Sequence, residues 1–347
     1  MENLNINYLE FLLTDSDNFT EDVEKYFDIK YIDGDYELIP KENIGIVLDN
    51  GNVVTRHGLD IKVNDRRGFP VNSEWSVNNS YKTRALRRTL INPLTDLIID
   101  IERKNRIKKY RNKITSKKYS KIIISCGDSW WQHPLNKDVI DCIDSDYSNC
   151  AIYCNARAGR EFSEIIREKE YVAPLKMEPA DYFLLSASGN DILGDVTRFL
   201  NPNNSDKFED LFNSDYKKKM EQLEDWYHEI LNDIFFHSKT IKKVFINSYD
   251  YVVPNFDGDK RSGKWLGKPM KKIGITDHKL QKKIVKKMID DLSEIILKVS
   301  KENKYIGKVE LLDFRNKISD IEGWYDEIHP NKSSNQVLAK IIVDKMK

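Results

Sequence analysis

Several features that assign a chain to a familiar functional class are missing from this sequence. Basic and acidic residues both number 56 in 347 residues, so the formal net charge is zero. Whole-chain charge therefore gives no argument for nucleic acid or an acidic membrane, and such a partner would need a local basic patch. No stretch approaches the roughly 18 apolar residues of a membrane span. The start, residues 1–5, lacks the basic and apolar segments of a signal peptide, which predicts a cytoplasmic protein without a transmembrane segment.

Cysteine is also scarce. The four cysteines crowd into one stretch, as Cys126, Cys142, Cys150 and Cys154. This spacing suits reduced thiols in a reducing compartment better than disulfides that staple distant segments. No second cysteine or histidine pair supplies tetrahedral metal ligands, so we expect buried structural thiols, no metal and no cofactor.

Common catalytic signatures are absent as well. There is no Gly-x-Ser-x-Gly motif, which disfavours the α/β-hydrolase fold, and no His-Glu-x-x-His motif of a zinc protease. Residues 258–264 nearly match a phosphate-binding loop. Trp265 stands where that loop requires serine or threonine, and Pro254 interrupts the path from the preceding strand. This segment is therefore interpreted as a flexible loop.

The pattern changes character near residue 115. The pattern of residues 1–115 predicts a small α+β appendage. Within it, residues 44–48 and 52–54 are expected to form a hairpin around a turn at Asp49-Asn50-Gly51. Residues 102–121 carry ten lysines or arginines against one acid. Such a run indicates a solvated linker or an exposed helix. The alternative is a patch for phosphate-bearing ligands, including nucleic acid or acidic lipid. Only Tyr110 and Tyr119 could stack on bases, so nucleic acid is an unlikely partner.

Residues 116–347 alternate between short apolar runs and helical segments. The runs, bounded by Gly, Ser, Asn or Asp, cover residues 122–124, 151–153, 182–185, 244–246 and 309–312. Helices are expected around residues 137–144, 161–169, 216–236, 278–300 and 335–346. Alternation of this kind predicts a parallel sheet covered by helices on both faces. In such sheets ligands bind beyond the carboxyl ends of the strands.

The residues needed for acyl transfer follow these predicted strands. Ser129 is a candidate nucleophile, His329 the general base, and Asp326, three residues earlier, the group that orients the imidazole. The backbone N–H groups of Ser129 and Gly159 and the side-chain amide of Asn190 are candidate donors to a developing oxyanion. Asp128 and Asp191 are expected to hold the loops that present their neighbours.

Four blocks in this order resemble the SGNH hydrolase superfamily, also called GDSL esterases and lipases. The blocks are Gly127-Asp128-Ser129-Trp130, the segment 155–161 around Gly159, Ser188-Gly189-Asn190-Asp191, and Asp326-Glu327-Ile328-His329-Pro330. The resemblance covers roughly residues 118–347 and implies a three-layer α/β/α, flavodoxin-like fold. It also implies hydrolysis of esters or thioesters without a metal, so residues 116–347 would form the hydrolase domain.

The chain departs from that family at Trp130, where leucine is usual. Trp130 and Trp131 are predicted to form a broad aromatic wall for the substrate, and Trp265, in the long loop 251–277, a further contact. Phe256 and Leu266 share that loop. We expect a small-molecule or lipid ester substrate. A catalytically silent protein of this fold that binds a phosphate-rich partner, and an acyltransferase that uses the same acyl-enzyme, remain alternatives, and the oligomeric state is open.

Overall fold

A computed structural model of the chain describes residues 2–5, 8–9, 19–32, 35–47, 53–55, 58–60, 93–133, 135–202, 207–255, 265–318 and 321–346. The chain divides into two compact units, residues 1–105 and 106–347. This division lies earlier than the change of character near residue 115 in the sequence.

The first unit mixes strands with a helix, as predicted. Its elements are β1 (Glu2–Asn5), α1 (Phe19–Tyr26), β2 (Phe27–Ile32), β3 (Asp35–Pro40), β4 (Ile44–Val47), β5 (Val53–Thr55) and β6 (Gly58–Asp60). Strands β1, β4, β5 and β6 form one sheet in that order, and β2 pairs with β3 in another. Antiparallel pairing of β4 with β5 confirms the predicted hairpin strands. The Asp49-Asn50-Gly51 turn lies outside the described residues.

Helix α2 spans Pro93–Ser116 and contains most of the basic stretch. Proline at the first position of a helix loses no hydrogen bond, because the first N–H groups have no partner within the helix. Arg106 is buried and pairs with Asp138 and Asp141 at 2.6 and 3.0 Å. Tyr110 is buried as well and donates a hydrogen bond to Glu178. Of the two predicted forms, a linker or an exposed helix, residues 102–116 form a helix, but one face of this helix is buried.

The second unit is a parallel α/β sheet. Its elements are β7 (Lys121–Gly127), α3 (Val139–Asp146), β8 (Cys150–Cys154), α4 (Phe162–Glu168), α5 (Val172–Met177), β9 (Tyr182–Ser186), α6 (Gly189–Leu193), α7 (Ser214–His237), β10 (Lys243–Asn247), α8 (Gly267–Lys272), α9 (His278–Ser300), β11 (Val309–Leu312) and α10 (Lys332–Lys345). All five predicted strands and the five predicted helices are present. The spatial order is β11-β10-β9-β7-β8, with every pair parallel, which is the flavodoxin order.

Helices cover both faces of this sheet. Helix α3 packs on α10, while α7 packs on α4, α5 and α9. Apolar residues recur at helical spacing along α7 and α9, which buries one stripe of each helix against the strands. All four cysteines are buried and free, as the sequence predicted. The result is the predicted three-layer α/β/α architecture. No helix in the described part of the chain is long and apolar enough to cross a bilayer.

The order of the strands creates the place for a site. The chain leaves β7 toward β8 on one side and returns to β9 on the other side of β7, so the connections after β7 and β9 diverge. A crevice outside the carboxyl ends of the strands opens where connections diverge in this way. Ser129 follows β7 and Asn190 follows β9. The topology thus brings both predicted residues to one edge of the sheet.

Candidate catalytic site

The turn that carries Ser129 is held by Ser186, at the end of β9, and by Tyr249, which follows β10. A Cβ on Gly127 would lie 2.3 Å from the carbonyl oxygen of Ser186, so only glycine allows the two strands to approach this closely. The carboxylate of Asp128 accepts hydrogen bonds from Ser186 Oγ at 2.7 Å, from the Trp130 N–H at 3.0 Å and from the Tyr249 hydroxyl. Burial raises the pKa of Asp128. This aspartate fixes the turn that presents the next residue, as the sequence predicted.

The loop that carries His329 is a tight turn closed by Asp326. The Tyr325 N–H donates to the His329 carbonyl at 2.8 Å. Asp326 Oδ1 accepts from the N–H groups of Ile328 and His329 at 2.8 and 2.7 Å. Its second oxygen, Oδ2, lies 2.7 Å from His329 Nδ1. The three-residue spacing lets one carboxylate hold both the backbone turn and the imidazole.

The two turns meet although they are far apart in the sequence. Ser129 Oγ lies 2.7 Å from His329 Nε2, so serine, histidine and aspartate form one continuous hydrogen-bonded array. The exposed fractions of Ser129, His329 and Asp326 are 8%, 5% and 1%. A carboxylate can only accept, so Nδ1 carries the proton and Nε2 is left to accept from the serine. Such an array can take a proton from the hydroxyl.

A second set of bonds joins these turns below the array. Trp130 Nε1 donates to the Ile328 carbonyl at 3.0 Å, and Asn136 Nδ2 donates to the Pro330 carbonyl at 2.7 Å. Both acceptors flank His329 directly. Two side-chain donors thus hold the backbone on either side of the histidine, which helps to set the distance between nucleophile and base.

The glycine and asparagine blocks lie beside the nucleophile turn. Gly159 has a φ of 71°, a left-handed conformation that favours glycine. The adjacent Ala158 N–H donates to Gln132 Oε1 at 2.8 Å, which ties this loop to the residues after Ser129. Asn190 Nδ2 donates to the Arg160 carbonyl at 2.9 Å. One of its two amide hydrogens is used in this way, so the glycine and asparagine blocks are bonded to each other.

Asp191 and Tyr249 support the same arrangement. Asp191 accepts the Phe162 N–H at 2.7 Å at the start of α4, and burial raises its pKa to about 7. Tyr249, which sequence reasoning did not single out, accepts the Gly189 N–H at 3.0 Å and donates to Asp128. One phenol thus links the asparagine block to the nucleophile turn. A lone tyrosine after a strand carries no sequence signal for such a role.

The prediction that Trp130 and Trp131 form an aromatic wall for the substrate is wrong, because both side chains are buried. Trp131 is fully buried and Trp130 is 4% exposed. The Trp130 indole stacks on Phe314, with ring centroids 6.3 Å apart. These side chains fill the core under the turn because the turn after β7 directs them inward, so they support the site instead of lining a substrate wall. Trp265 is half-buried and packs on the core, whereas Phe256 and the loop 258–264 lie outside the described residues.

Glu327, between Asp326 and His329, has a role that the sequence did not reveal. Its Oε1 accepts the N–H groups of Asn255 and Gly267 at 2.6 and 2.8 Å, and its Oε2 those of Trp265 and Leu266 at 2.7 and 3.0 Å. Burial raises the pKa of Glu327 to about 7, against the pull of these four donors. One carboxylate therefore holds two parts of the long loop 251–277, residue 255 and residues 265–267, against the catalytic turn. Leu266 is fully buried there.

We expect Glu327→Gln to loosen this loop. The amide NH₂ would face backbone donors, leaving two of the four N–H groups without an acceptor, at a cost of about 2 to 4 kcal/mol in unfolding free energy. Urea denaturation measures the loss, and limited proteolysis between residues 255 and 267 locates it. The matched control is Glu322→Gln, at an exposed position a few residues earlier. It should change neither the unfolding free energy nor the proteolysis pattern. Equal stability of the two variants would contradict the anchoring role.

His133 is a second histidine at the site. Its ring lies edge-on to the His329 ring, with centroids 4.5 Å apart, and its Nδ1 accepts the Leu135 N–H at 3.2 Å. Burial, with the nearby His329 as the next cause, lowers the pKa of His133 to about 3. A neutral imidazole therefore packs beside the candidate base. No carboxylate lies three positions before His133, so its sequence context did not indicate a place at the site.

The pKa of His133 leads to a prediction about acid stability. Between about pH 6.5 and 3 the unfolded chain binds a proton at this residue and the folded chain does not, so stability falls as pH falls through that window. In His133→Asn the amide oxygen can replace Nδ1 as acceptor for Leu135. We expect its unfolding free energy to depend less steeply on pH, by up to about 1.4 kcal/mol per pH unit. If the unfolding free energies of the variant and the wild type showed the same dependence on pH, the lowered pKa of His133 would be refuted.

His133, Asp326 and His329 each offer one ligand atom, and these atoms lie within 4.8 Å of one another. However, His329 uses both ring nitrogens, one with Ser129 and one with Asp326. Coordination of a metal by this group would therefore break the hydrogen-bonded array. The arrangement of these residues fits proton transfer better than metal binding.

The second unit is thus a doubly wound parallel α/β sheet with a Ser–His–Asp array at the carboxyl ends of its strands. No protein-family model and no curated protein matches the chain. Similar solved structures include an extracellular lipase from Streptomyces rimosus (TM-score 0.44, 11% identity, 65% of this chain and 99% of that chain). Another is a phospholipase A1 from Streptomyces albidoflavus (TM-score 0.45, 12% identity, 66% and 99%).

A catalytic mutant of an acetylxylan esterase from Geobacillus stearothermophilus is also similar (TM-score 0.40, 10% identity, 66% of this chain and 94% of that chain). A GDSL-like lipase from Parabacteroides merdae, which bears the family name that the four sequence blocks suggested, is similar as well (TM-score 0.40, 13% identity, 65% of this chain and 95% of that chain). At these identities and TM-scores the likeness is distant. The functional proposal rests on the side chains of this chain.

Proposed function

We propose that the chain is a serine hydrolase that cleaves a carboxylic ester or thioester through an acyl-enzyme on Ser129. The observation that carries the proposal is the pair of 2.7 Å contacts, from Ser129 Oγ to His329 Nε2 and from His329 Nδ1 to Asp326 Oδ2. A serine hydroxyl is a poor nucleophile until a positioned base accepts its proton. A buried serine, an imidazole and a carboxylate bonded in this order are the groups that acyl transfer by an activated hydroxyl requires.

In the first half of the proposed reaction, Ser129 Oγ attacks the carbonyl carbon of the ester and its proton passes to His329 Nε2. Negative charge develops on the carbonyl oxygen, where the N–H groups of Ser129 and Gly159 and the amide of Asn190 are the proposed donors. Collapse of this tetrahedral intermediate breaks the ester bond. The proton on Nε2 then goes to the departing alcohol or thiol, leaving the acyl group on the serine.

In the second half, water attacks the acyl-enzyme and His329 takes a proton from it. The acid is released and Ser129 regains its hydrogen. Asp326 stabilises the imidazolium that forms twice in each cycle. We propose a small-molecule or lipid ester as substrate, with the reaction in the cytoplasm and residues 116–347 as the hydrolase domain. If an alcohol resolves the acyl-enzyme in place of water, the same residues make an acyltransferase.

Fluorophosphonate labelling tests the proposal without knowledge of the substrate. Such probes phosphonylate an activated serine, so mass spectrometry should find one modification, on Ser129. Heat-denatured protein is the control and should stay unlabelled. A folded protein whose Ser129 does not react would refute the proposal and favour a catalytically silent protein of this fold, which then should bind phosphate-rich ligands without turnover.

A further inference from the structure

The edge of the sheet opposite Ser129 forms a continuous surface. Because all five strands are parallel, the segments that lead into them meet there. The Ile122 N–H donates to Asp181 Oδ2 at 2.9 Å, the Lys242 N–H to the Asp181 carbonyl at 2.7 Å, and the Val244 N–H to the Lys308 carbonyl at 2.8 Å. Neighbouring segments are thus bonded to one another. The segments that lead into β7, β9, β10 and β11 are residues 117–121, 176–181, 236–243 and 301–308. We call these four segments the basal surface.

The most exposed large apolar side chains of the described residues lie on the basal surface. Met177, Phe236 and Ile306 are 76%, 72% and 65% exposed. Each one precedes a different strand, and these strands, β9, β10 and β11, are adjacent in the sheet. Single exposed apolar residues are ordinary on a protein surface, but a group at one end of a sheet indicates an interaction site.

The segments that carry these apolar residues are also rich in lysine. Segments 176–181, 236–243 and 301–308 contain seven lysines and three acids, and segment 117–121 adds three lysines. Three of these lysines pair with acids: Lys242 with Asp181, Lys243 with Glu310 and Lys304 with Glu302. Ten lysines against three acids within the four segments still leave an excess of positive charge. The basal surface is therefore basic, although the whole chain carries no net charge.

We propose that the basal surface docks on a lipid bilayer that contains anionic phospholipids. Exposed apolar side chains enter the boundary between headgroups and acyl chains, while lysines around them stay with the lipid phosphates. This pairing favours a bilayer over nucleic acid, since flexible aliphatic side chains such as Met177 and Ile306 do not serve as stacking platforms for bases. Docking through this edge leaves the opposite edge, with Ser129, facing water. The inference is independent of the proposed hydrolase function.

Co-sedimentation with vesicles tests the proposal. The full chain should bind vesicles of phosphatidylcholine and phosphatidylserine, bind phosphatidylcholine alone weakly, and lose affinity as salt rises. Each of Lys176→Gln, Lys239→Gln and Lys308→Gln should weaken binding about fivefold, because a lysine near an anionic surface is worth about 1 kcal/mol. The triple variant Met177→Ser, Phe236→Ser and Ile306→Ser should weaken binding further at every salt concentration.

Matched controls lie on α10, away from the basal surface. Val337 is 49% exposed and Lys332 is exposed, so Val337→Ser and Lys332→Gln make the same chemical changes and should bind as the wild type does. Circular dichroism checks that every variant is folded. Failure of the wild type to bind anionic vesicles would overturn the proposal. Tight binding to duplex RNA instead would assign the lysines to nucleic acid, and a dimer broken by the apolar triple variant would assign the surface to self-association.

Discussion

Ser129→Ala is expected to lower kcat/KM for any ester substrate by a factor on the order of 10⁴ to 10⁶ while leaving the fold intact. The hydroxyl is the only group of the array that can form the acyl-enzyme, and its loss leaves the oxyanion donors and substrate contacts in place. Residual catalysis over water should therefore persist at a low level. A panel of p-nitrophenyl esters with acyl chains of increasing length provides the measurement. The acyl length with the highest wild-type rate also identifies the preferred acyl group.

The control for this variant is Ser333→Ala, which removes an exposed hydroxyl in the same unit. Its turnover should equal that of the wild type. Purification of both variants in parallel excludes a contaminating esterase, because such an activity would remain in the Ser129 variant. Unchanged turnover by pure Ser129→Ala would remove this residue from the reaction.

Asp326→Asn is expected to lower kcat by a factor on the order of 10⁴. Asparagine can still accept the Ile328 and His329 N–H groups at Oδ1, so the turn should hold. Its NH₂ group, however, replaces the acceptor at Oδ2. The imidazole must then accept at Nδ1 and carry its proton on Nε2, where it faces Ser129. A protonated Nε2 cannot take the serine proton.

Asp250→Asn makes the same chemical change where no histidine is involved. Asp250 accepts the N–H groups of Asn316, Lys317 and Ile318 at 2.6 to 2.8 Å and so anchors a different loop. We expect this variant to lose stability but keep kcat. The Nδ1 proton resonance of His329, shifted far downfield by its carboxylate partner, should disappear in Asp326→Asn and persist in Asp250→Asn. Persistence in both would show that Asp326 does not set the tautomer.

Much of the second unit could be predicted from the sequence. Each strand is a short apolar run, such as residues 122–124 and 244–246, because a parallel strand is covered on both faces and tolerates few polar residues. The helices are predicted by apolar residues that recur every three or four positions. The local spacing of Asp326 and His329 also predicts their contact, since three residues make one turn. Signals of this kind are contained within a single segment.

Other features depend on which segments meet. The sequence predicted that Trp130 and Trp131 form a wall for the substrate. Only the packing under the turn shows that both side chains belong to the core. Arg106 and Tyr110 lie in a run of basic residues that predicts exposure to solvent, yet both are buried and bonded to acids from other segments. The four donors to Glu327 come from a loop about 60 to 70 residues away. No local sequence pattern predicts bonding partners that lie so far apart in the chain.

By itself the sequence determined the parallel α/β architecture, the hydrogen bond between Asp326 and His329, and the four blocks that resemble an esterase. Periodicity and short-range spacing carry this information, because helices, strands and turns are local structures. Tertiary structure alone decided that Ser129 lies within 2.7 Å of His329, that Glu327 anchors the long loop, and that Met177, Phe236 and Ile306 share one basic edge. Strand order sets these contacts, and strand order depends on packing between segments distant in the chain.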